Sequence, residues 1–367
     1  MRIQSQNRLL LGPGPSTVHP EVLKAIATPL VGHLDPYFLQ VMSDTQGMLK
    51  QVFQTQNELT IAMSGTGSAG METVLVNLLE PGDKVVIGIC GVFGERMKDV
   101  AERCGAEVLT INGEWGKPIE PEQVQSVLRS TSDIKAVALV HAETSTGVRQ
   151  PLEEISALVH EYGALFIVDA VTSLGGIPVE VDRLKIDACY SGTQKCLSAP
   201  PGLAPVTMSE AAVQVLKNRK TKVQSWYLDL NMIANYWGQE RFYHHTAPIS
   251  MVFALHEALN LVLDEGLDAA FARHEKNGRL LQTELQAMGL ELFAAEGYRL
   301  PQLTSVLLPA NQDESALRQR LLHEYGIEVG GGLGPLKGRA WRIGLMGYSS
   351  TRSNVLLLTQ AMKELLA

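Results

Sequence analysis

The chain has 367 residues, 45% of them hydrophobic and 19% charged, and 31 Lys+Arg against 39 Asp+Glu give a formal net charge of −8. That is too apolar for a disordered chain, and the length provides for about two domains at roughly 100–200 residues each. An acidic balance without a long Lys/Arg run excludes a general binder of nucleic acid or of anionic membranes, because both need a positive field; any anionic ligand has to be met locally.

The first segment, residues 1–15, has two early arginines but neither a sustained apolar core nor a small-residue cleavage site, and reads as an N-terminal arm. No run approaches the ~18 apolar residues of a membrane span, and Cys90, Cys104, Cys189 and Cys196 show no CxxC pairing, so the expectation is a cytoplasmic protein with reduced thiols and no metal. From residue 59 to 210, short apolar runs alternate with helical patterns, the signature of an α/β layered domain. Strands are expected at 59–63, 84–89, 106–111, 134–140, 164–168 and 188–190. Met71, Val74, Leu75, Leu78 and Leu79 recur at helical spacing, and Pro81-Gly82-Asp83 ends that helix. The run 164–168 is continuously apolar, as for a strand covered on both faces in a mainly parallel sheet. After about residue 250 one long helical stretch runs through 263 and then from 267 to 288. Strands at 303–308, 327–329 and 340–345, a helix at 315–325 and a last helix from about 351 complete the chain. The division expected is a large domain over 16–256 and a smaller α+β domain over 257–367.

Three features carry chemistry. Ser64-Gly-Thr-Gly-Ser-Ala-Gly70 lies between a strand and an amphipathic helix; its glycines permit a tight turn, and the helix N-terminus with the Thr66 and Ser68 hydroxyls makes an anion site. A dinucleotide bound in Rossmann fashion would also need an acid at the end of the next strand, where Cys90-Gly91 stand instead. Asp169 ends the buried strand at the carboxyl edge of the sheet, where open α/β folds bind ligands and where an unpaired carboxylate is costly. Lys195 follows the short strand 188–190. Any one of these has a bland explanation: a close helix–strand contact, a buried hydrogen-bonded acid, a solvated lysine. Together they are what pyridoxal 5'-phosphate requires, namely a phosphate loop, an acid for the pyridine nitrogen and an amine for the aldehyde.

At these residues the chain resembles the class V, fold-type I aminotransferases, and most of all the alanine–glyoxylate and serine–pyruvate aminotransferase family. The matching stretches are Leu11-Gly-Pro-Gly-Pro15, Ser64-Gly-Thr-Gly67, His141-Ala-Glu-Thr-Ser-Thr-Gly147, Val168-Asp169, Ser191-Gly-Thr-Gln-Lys195, Ala199-Pro-Pro-Gly202, Tyr243-His-His-Thr246, Gly331-Gly-Leu-Gly-Pro335 and Arg342-Ile-Gly344. The resemblance implies a mainly parallel sheet of the seven-stranded type between helices, with the smaller C-terminal domain beside it. It implies Lys195 as the Schiff-base lysine, Asp169 as partner of the pyridine nitrogen, and Thr66, Gly67 and Ser68 as the phosphate loop with Gln194 beside it. Thr144 takes the place of a hydroxyl residue near the ring, and Phe93 that of a stacking aromatic which is Trp in some relatives. Arg342 matches the arginine that clamps the substrate carboxylate. Tyr243 and Thr246 match residues that reach the neighbouring subunit's cofactor phosphate, which implies a homodimer.

His33 lies where the family's N-terminal segment nears the substrate; ureidoglycine–glyoxylate relatives carry Gln there, so His33 favours alanine or serine as amino donor. His244 and His245, adjacent in the chain, are expected to point to opposite sides of an extended segment and so not to share a metal. Trp226, Tyr236 and Trp237 read as packing or dimer interface, and Cys196 as packing. The leading expectation is transfer of the amino group of a small L-amino acid to glyoxylate, giving glycine and a 2-oxo acid. Serine–pyruvate or ureidoglycine–glyoxylate transamination are alternatives. Cysteine desulfuration is opposed by the lack of any cysteine after Cys196. A catalytically silent binding protein is opposed by Asp169, Lys195 and Arg342 standing together, and a Rossmann dehydrogenase ranks last.

Overall fold

The computed structural model describes residues 6–366; the first five residues of the expected arm lie outside them. Seven strands form the main sheet: β1 (Leu59–Ser64), β2 (Lys84–Ile89), β3 (Glu107–Asn112), β4 (Ile134–Val140), β5 (Leu165–Asp169), β6 (Ala188–Tyr190) and β7 (Leu203–Met208), in the order β1-β7-β6-β5-β4-β2-β3. All neighbours are parallel except β7, which runs antiparallel to both β1 and β6. Every residue of β5 and of β7 is buried, as a sheet covered by helices on both faces demands. β7 is the strand the apolar pattern did not single out. Pro205 sits in its middle, where a missing N–H ordinarily argues against a central strand.

Two helices bring the carboxyl ends of this sheet to a common edge. α1 (Gly67–Leu78) follows β1 after a two-residue turn, in which Gly65 adopts φ +143° and a side chain would meet the Ala69 methyl at 2.5 Å. That position is therefore restricted to glycine. α2 (Val92–Arg103) follows β2 with Gly91 as its cap residue. The long helical stretch after residue 250 is two helices, α3 (Ile249–Glu265) and α4 (Leu267–Ala287), broken at Gly266 with φ +86°. The apolar periodicity runs across the break, so only the glycine marks it.

A three-stranded antiparallel sheet follows, with β10 (Ala340–Gly344) between β8 (Leu303–Leu307) and β9 (Gly330–Gly331). Its core gathers Leu281, Val306, Leu321, Trp341, Ile343 and Leu358 with Leu11 from the other end of the chain. The expected strand at 327–329 does not join this sheet: Ile327–Glu328 pairs in parallel with Leu9–Leu10. The arm is thus a structural strand rather than a loose extension. Among the described residues no helix is long and apolar enough to cross a membrane.

Candidate active site

The carboxyl ends of β1, β5 and β6 open on a cleft lined by Thr66, Gly67, Ser68, Phe93, Asp169 and Lys195, with Met71, Arg96, Val171 and Gln194 completing the wall. Of the twelve residues singled out in the sequence, seven therefore meet in one place. No side chain caps α1, so N–H groups of its first turn lack intrahelical partners, and the Thr66 and Ser68 hydroxyls stand beside them. The Gln194 Oε1 is buried without a partner at the same wall. The helix N–H groups and the two hydroxyls are donors that suit a phosphate, and Gln194 can add to them only through its amide nitrogen, not through this oxygen.

Asp169 is almost completely buried. Its Oδ1 accepts the Val171 N–H at 2.8 Å and its Oδ2 the Tyr190 hydroxyl at 2.8 Å. Burial pushes its carboxyl up to about 6, against the opposing pull of these two hydrogen bonds and of Lys195. A cation brought alongside would compensate the buried charge, as a protonated ring nitrogen does. Tyr190 orients the carboxylate and was not singled out in the sequence; a tyrosine ending a three-residue buried strand gives no pattern beyond packing.

Lys195 is buried, and burial, followed by the charge of Arg342, pushes its amine down to about 8. Its Nζ donates to the Pro13 carbonyl. The same arm holds the lysine's backbone: the Ser16 hydroxyl donates to the Lys195 carbonyl at 2.7 Å, and the Ser16 N–H to that of Gln194 at 2.9 Å. Gly14, at φ +108°, lies so close that a Cβ would stand 2.6 Å from Nζ. The Leu11-Gly-Pro-Gly-Pro15 motif thus has a function in the site that its sequence did not declare. An amine held near 8 is about one-tenth free base at pH 7 and about nine-tenths at pH 9. Coupling of the cofactor-free protein to an aldehyde should therefore quicken about tenfold over that range, measured by stopped-flow absorbance; a flat profile would contradict the lowered amine.

Phe93 is positioned from below. Gly91 offers α2 no capping side chain, and the Ser145 hydroxyl accepts the Val92 N–H at 3.0 Å instead. Ser145 in turn donates to the fully buried Glu143, whose carboxyl is raised first by burial and is also influenced by the Phe93 N–H. Glu143 and Ser145, within the quoted 141–147 stretch, therefore fix the start of the helix that carries Phe93. Thr144 is buried beside them; its hydroxyl bonds that of Thr172 at 2.5 Å and does not line the cleft.

Arg342 projects from β10. Its Nε donates to the Gly331 carbonyl at 2.8 Å and its Nη1 to the Thr144 carbonyl at 3.4 Å, so it bridges the small sheet and the 141–147 segment that follows β4. Burial lowers it to about 10, which leaves it charged at neutral pH. His33, Tyr243 and Thr246 are elsewhere. The His33 ring lies 5.1 Å from that of Tyr243, whose hydroxyl is 3.4 Å from Thr246 Oγ1, and none of the three lines this chain's cleft.

His244 and His245 depart from expectation. Their Nδ1 atoms approach to 2.8 Å with the rings at 89°, because the segment is irregular rather than extended and their side chains do not alternate. His245 Nε2 bonds the Ser64 hydroxyl at 2.7 Å, and His244 stacks on Trp226 at 4.5 Å. Tyr236 and Trp237 are buried, whereas Trp226 is exposed.

The model of the class V aminotransferases matches residues 10–349. The chain is 42% identical to an alanine–glyoxylate aminotransferase of Oryctolagus cuniculus, over 98% of this chain and 93% of that one. It is 41% identical to an (S)-ureidoglycine–glyoxylate transaminase of Bacillus subtilis, over 98% and 90% respectively. Among solved structures, an alanine–glyoxylate aminotransferase from Nostoc sp. superposes with a TM-score of 0.98 at 49% identity, covering 100% of this chain and 97% of that one. The chain belongs to the class V aminotransferase family, and its fold is that of these enzymes.

Proposed function

We propose that this aminotransferase, a member of class V, uses pyridoxal 5'-phosphate to carry the amino group of a small L-amino acid, alanine or serine, to glyoxylate, releasing glycine and a 2-oxo acid. One observation carries the reading: an uncapped helix start, a buried carboxylate and a lysine of lowered pKa converge on a single cleft. When bound, the cofactor would supply the aldehyde that receives the amino group and the ring that takes up the electron pair left at the substrate Cα. The residues divide the remaining work. Thr66, Gly67, Ser68 and Gln194 hold the phosphate, Phe93 packs on the ring, and Asp169 holds a proton at the ring nitrogen. Arg342 grips the substrate α-carboxylate, a bidentate task suited to its planar fork. Lys195 Nζ, once off the Pro13 carbonyl, moves the proton at the substrate Cα; an amine near 8 is well matched to giving and taking protons at physiological pH.

The active unit in this reading is a homodimer. Tyr243 is 58% exposed and lies outside its own cleft, and Leu30, Leu34, Tyr37, Trp226 and Phe242 are also exposed. Such a display of large apolar side chains suits a surface covered by a second copy. A thiol-based reaction has little support: all four cysteines are buried, and burial raises Cys90 and Cys196 to about 12 and Cys104 to about 11.

Amino donors compared by kcat/KM against glyoxylate and pyruvate test the specificity. Alanine or serine with glyoxylate should exceed every other pairing by about tenfold or more. A preference for ureidoglycine as donor, or for pyruvate as acceptor, would overturn it. Sedimentation of the loaded enzyme tests the dimer.

A further inference from the structure

Arg96 has no part in the reading above. It lies one turn into α2, three residues after Phe93, with its guanidinium carbon 4.9 Å from the centroid of that ring and Nη1 3.5 Å from Ser68 Oγ. It is exposed at the mouth of the cleft and lines it beside Thr66, Gly67, Gln194 and Lys195. The other cations of α2 are paired, Lys98 with Glu102 and Arg103 with Asp99, whereas among the described residues no carboxylate pairs with Arg96.

A phosphate monoester brings a charge of about −1.5 to −2. Against it the cleft offers a helix N-terminus worth about +0.5, two hydroxyls and an amide, all without formal charge. Lys195 is reserved for the aldehyde end. Apart from Lys195, the formal positive charge that lines the cleft is the Arg96 guanidinium. With its Nη1 3.5 Å from Ser68 Oγ, the guanidinium already stands at the phosphate loop.

We propose that Arg96 is the charge partner of the cofactor's phosphate, reaching it from the Ser68 end of the loop. The proposal rests on the pyridoxal phosphate reading. It makes Arg96 a selector for the phosphorylated form over the free vitamer, which shares the ring and the aldehyde but not the charge.

The test is equilibrium binding to cofactor-free protein, followed by quenching of intrinsic fluorescence, with pyridoxal 5'-phosphate and pyridoxal as the two ligands. Arg96→Gln should weaken pyridoxal phosphate by about 10–100-fold and leave pyridoxal unchanged, and Arg96→Lys, a point charge without the fork, should fall between. Inorganic phosphate should compete with pyridoxal phosphate in the wild type and lose most of that effect in Arg96→Gln. Circular dichroism shows that the variants fold. Equal weakening of both ligands would reduce Arg96 to packing on Phe93, tightening of both would make it a mere competitor for the ring face, and no change in either would leave it a surface residue; each overturns the proposal. Wild-type protein that binds neither ligand overturns the cofactor reading itself.

Discussion

Lys195→Ala should lose at least about 10⁵-fold in kcat/KM, the scale reached when a nucleophile that works as a unit with its neighbours is removed. The fold should survive. The native amine is held below its ordinary value by burial, so at neutral pH the folded state bears a cost for its charge that alanine does not. With the folded value near 8 and the unfolded one near 10.5, the unfolded chain binds more protons between them, and that cost fades as pH rises through the window. The variant should therefore match or exceed the wild type in Tm at pH 7, with the difference shrinking toward pH 10. Retention of more than a few per cent of turnover would remove Lys195 from its assigned role. A collapse of Tm would show that the contacts to Pro13 are structural in their own right.

Asp169→Asn separates function from stability in the same manner. An amide cannot hold a proton at a ring nitrogen as a carboxylate does, and turnover should fall by about 10²–10³-fold, the range for loss of one preorganised electrostatic contact. In the cofactor-free protein the sign reverses. The folded carboxyl titrates near 6 against an ordinary 3.8, so the folded state holds more protons between these values and loses stability as pH rises through them. At pH 7 that loss is complete. Asparagine escapes it, at the expense of one of the hydrogen bonds from Val171 and Tyr190, and cofactor-free Asp169→Asn should melt roughly 2–4 °C higher than wild type at pH 7. The gain should disappear below pH 4. A lower Tm at both pH values would mean that the buried carboxylate is net stabilising and that its raised pKa is misassigned.

How much of this was legible in the chain depended on whether the residue's environment is local. The phosphate loop, Asp169 and Lys195 each sit at the end of a strand that hydrophobic pattern identifies, so connectivity alone carries them to one edge of the sheet. The strand containing Pro205 was not singled out, because its apolar run is interrupted by the residue least expected in a central strand. Contacts between distant segments were equally hidden. Nothing adjacent to Gly14 announces that Lys195 lies against it, nothing near Ser145 that it caps a helix starting at Val92, and nothing in Arg96 distinguishes it from any other helical arginine. The histidine pair shows the opposite error, in which a local rule for extended chain was applied to a segment that is not extended.

The pairing of Leu9–Leu10 with Ile327–Glu328 has a temporal side. On the ribosome, at about 5–20 residues per second, the arm waits roughly 15–60 s for its partner strand to be made. Only in the last part of that interval, once β7 has been made, can the main sheet be complete, and the Ser16 contacts to Gln194 and Lys195 can then form before the arm's partner strand exists. The strand beside the lysine loop thus takes its register from a segment more than three hundred residues further along the chain.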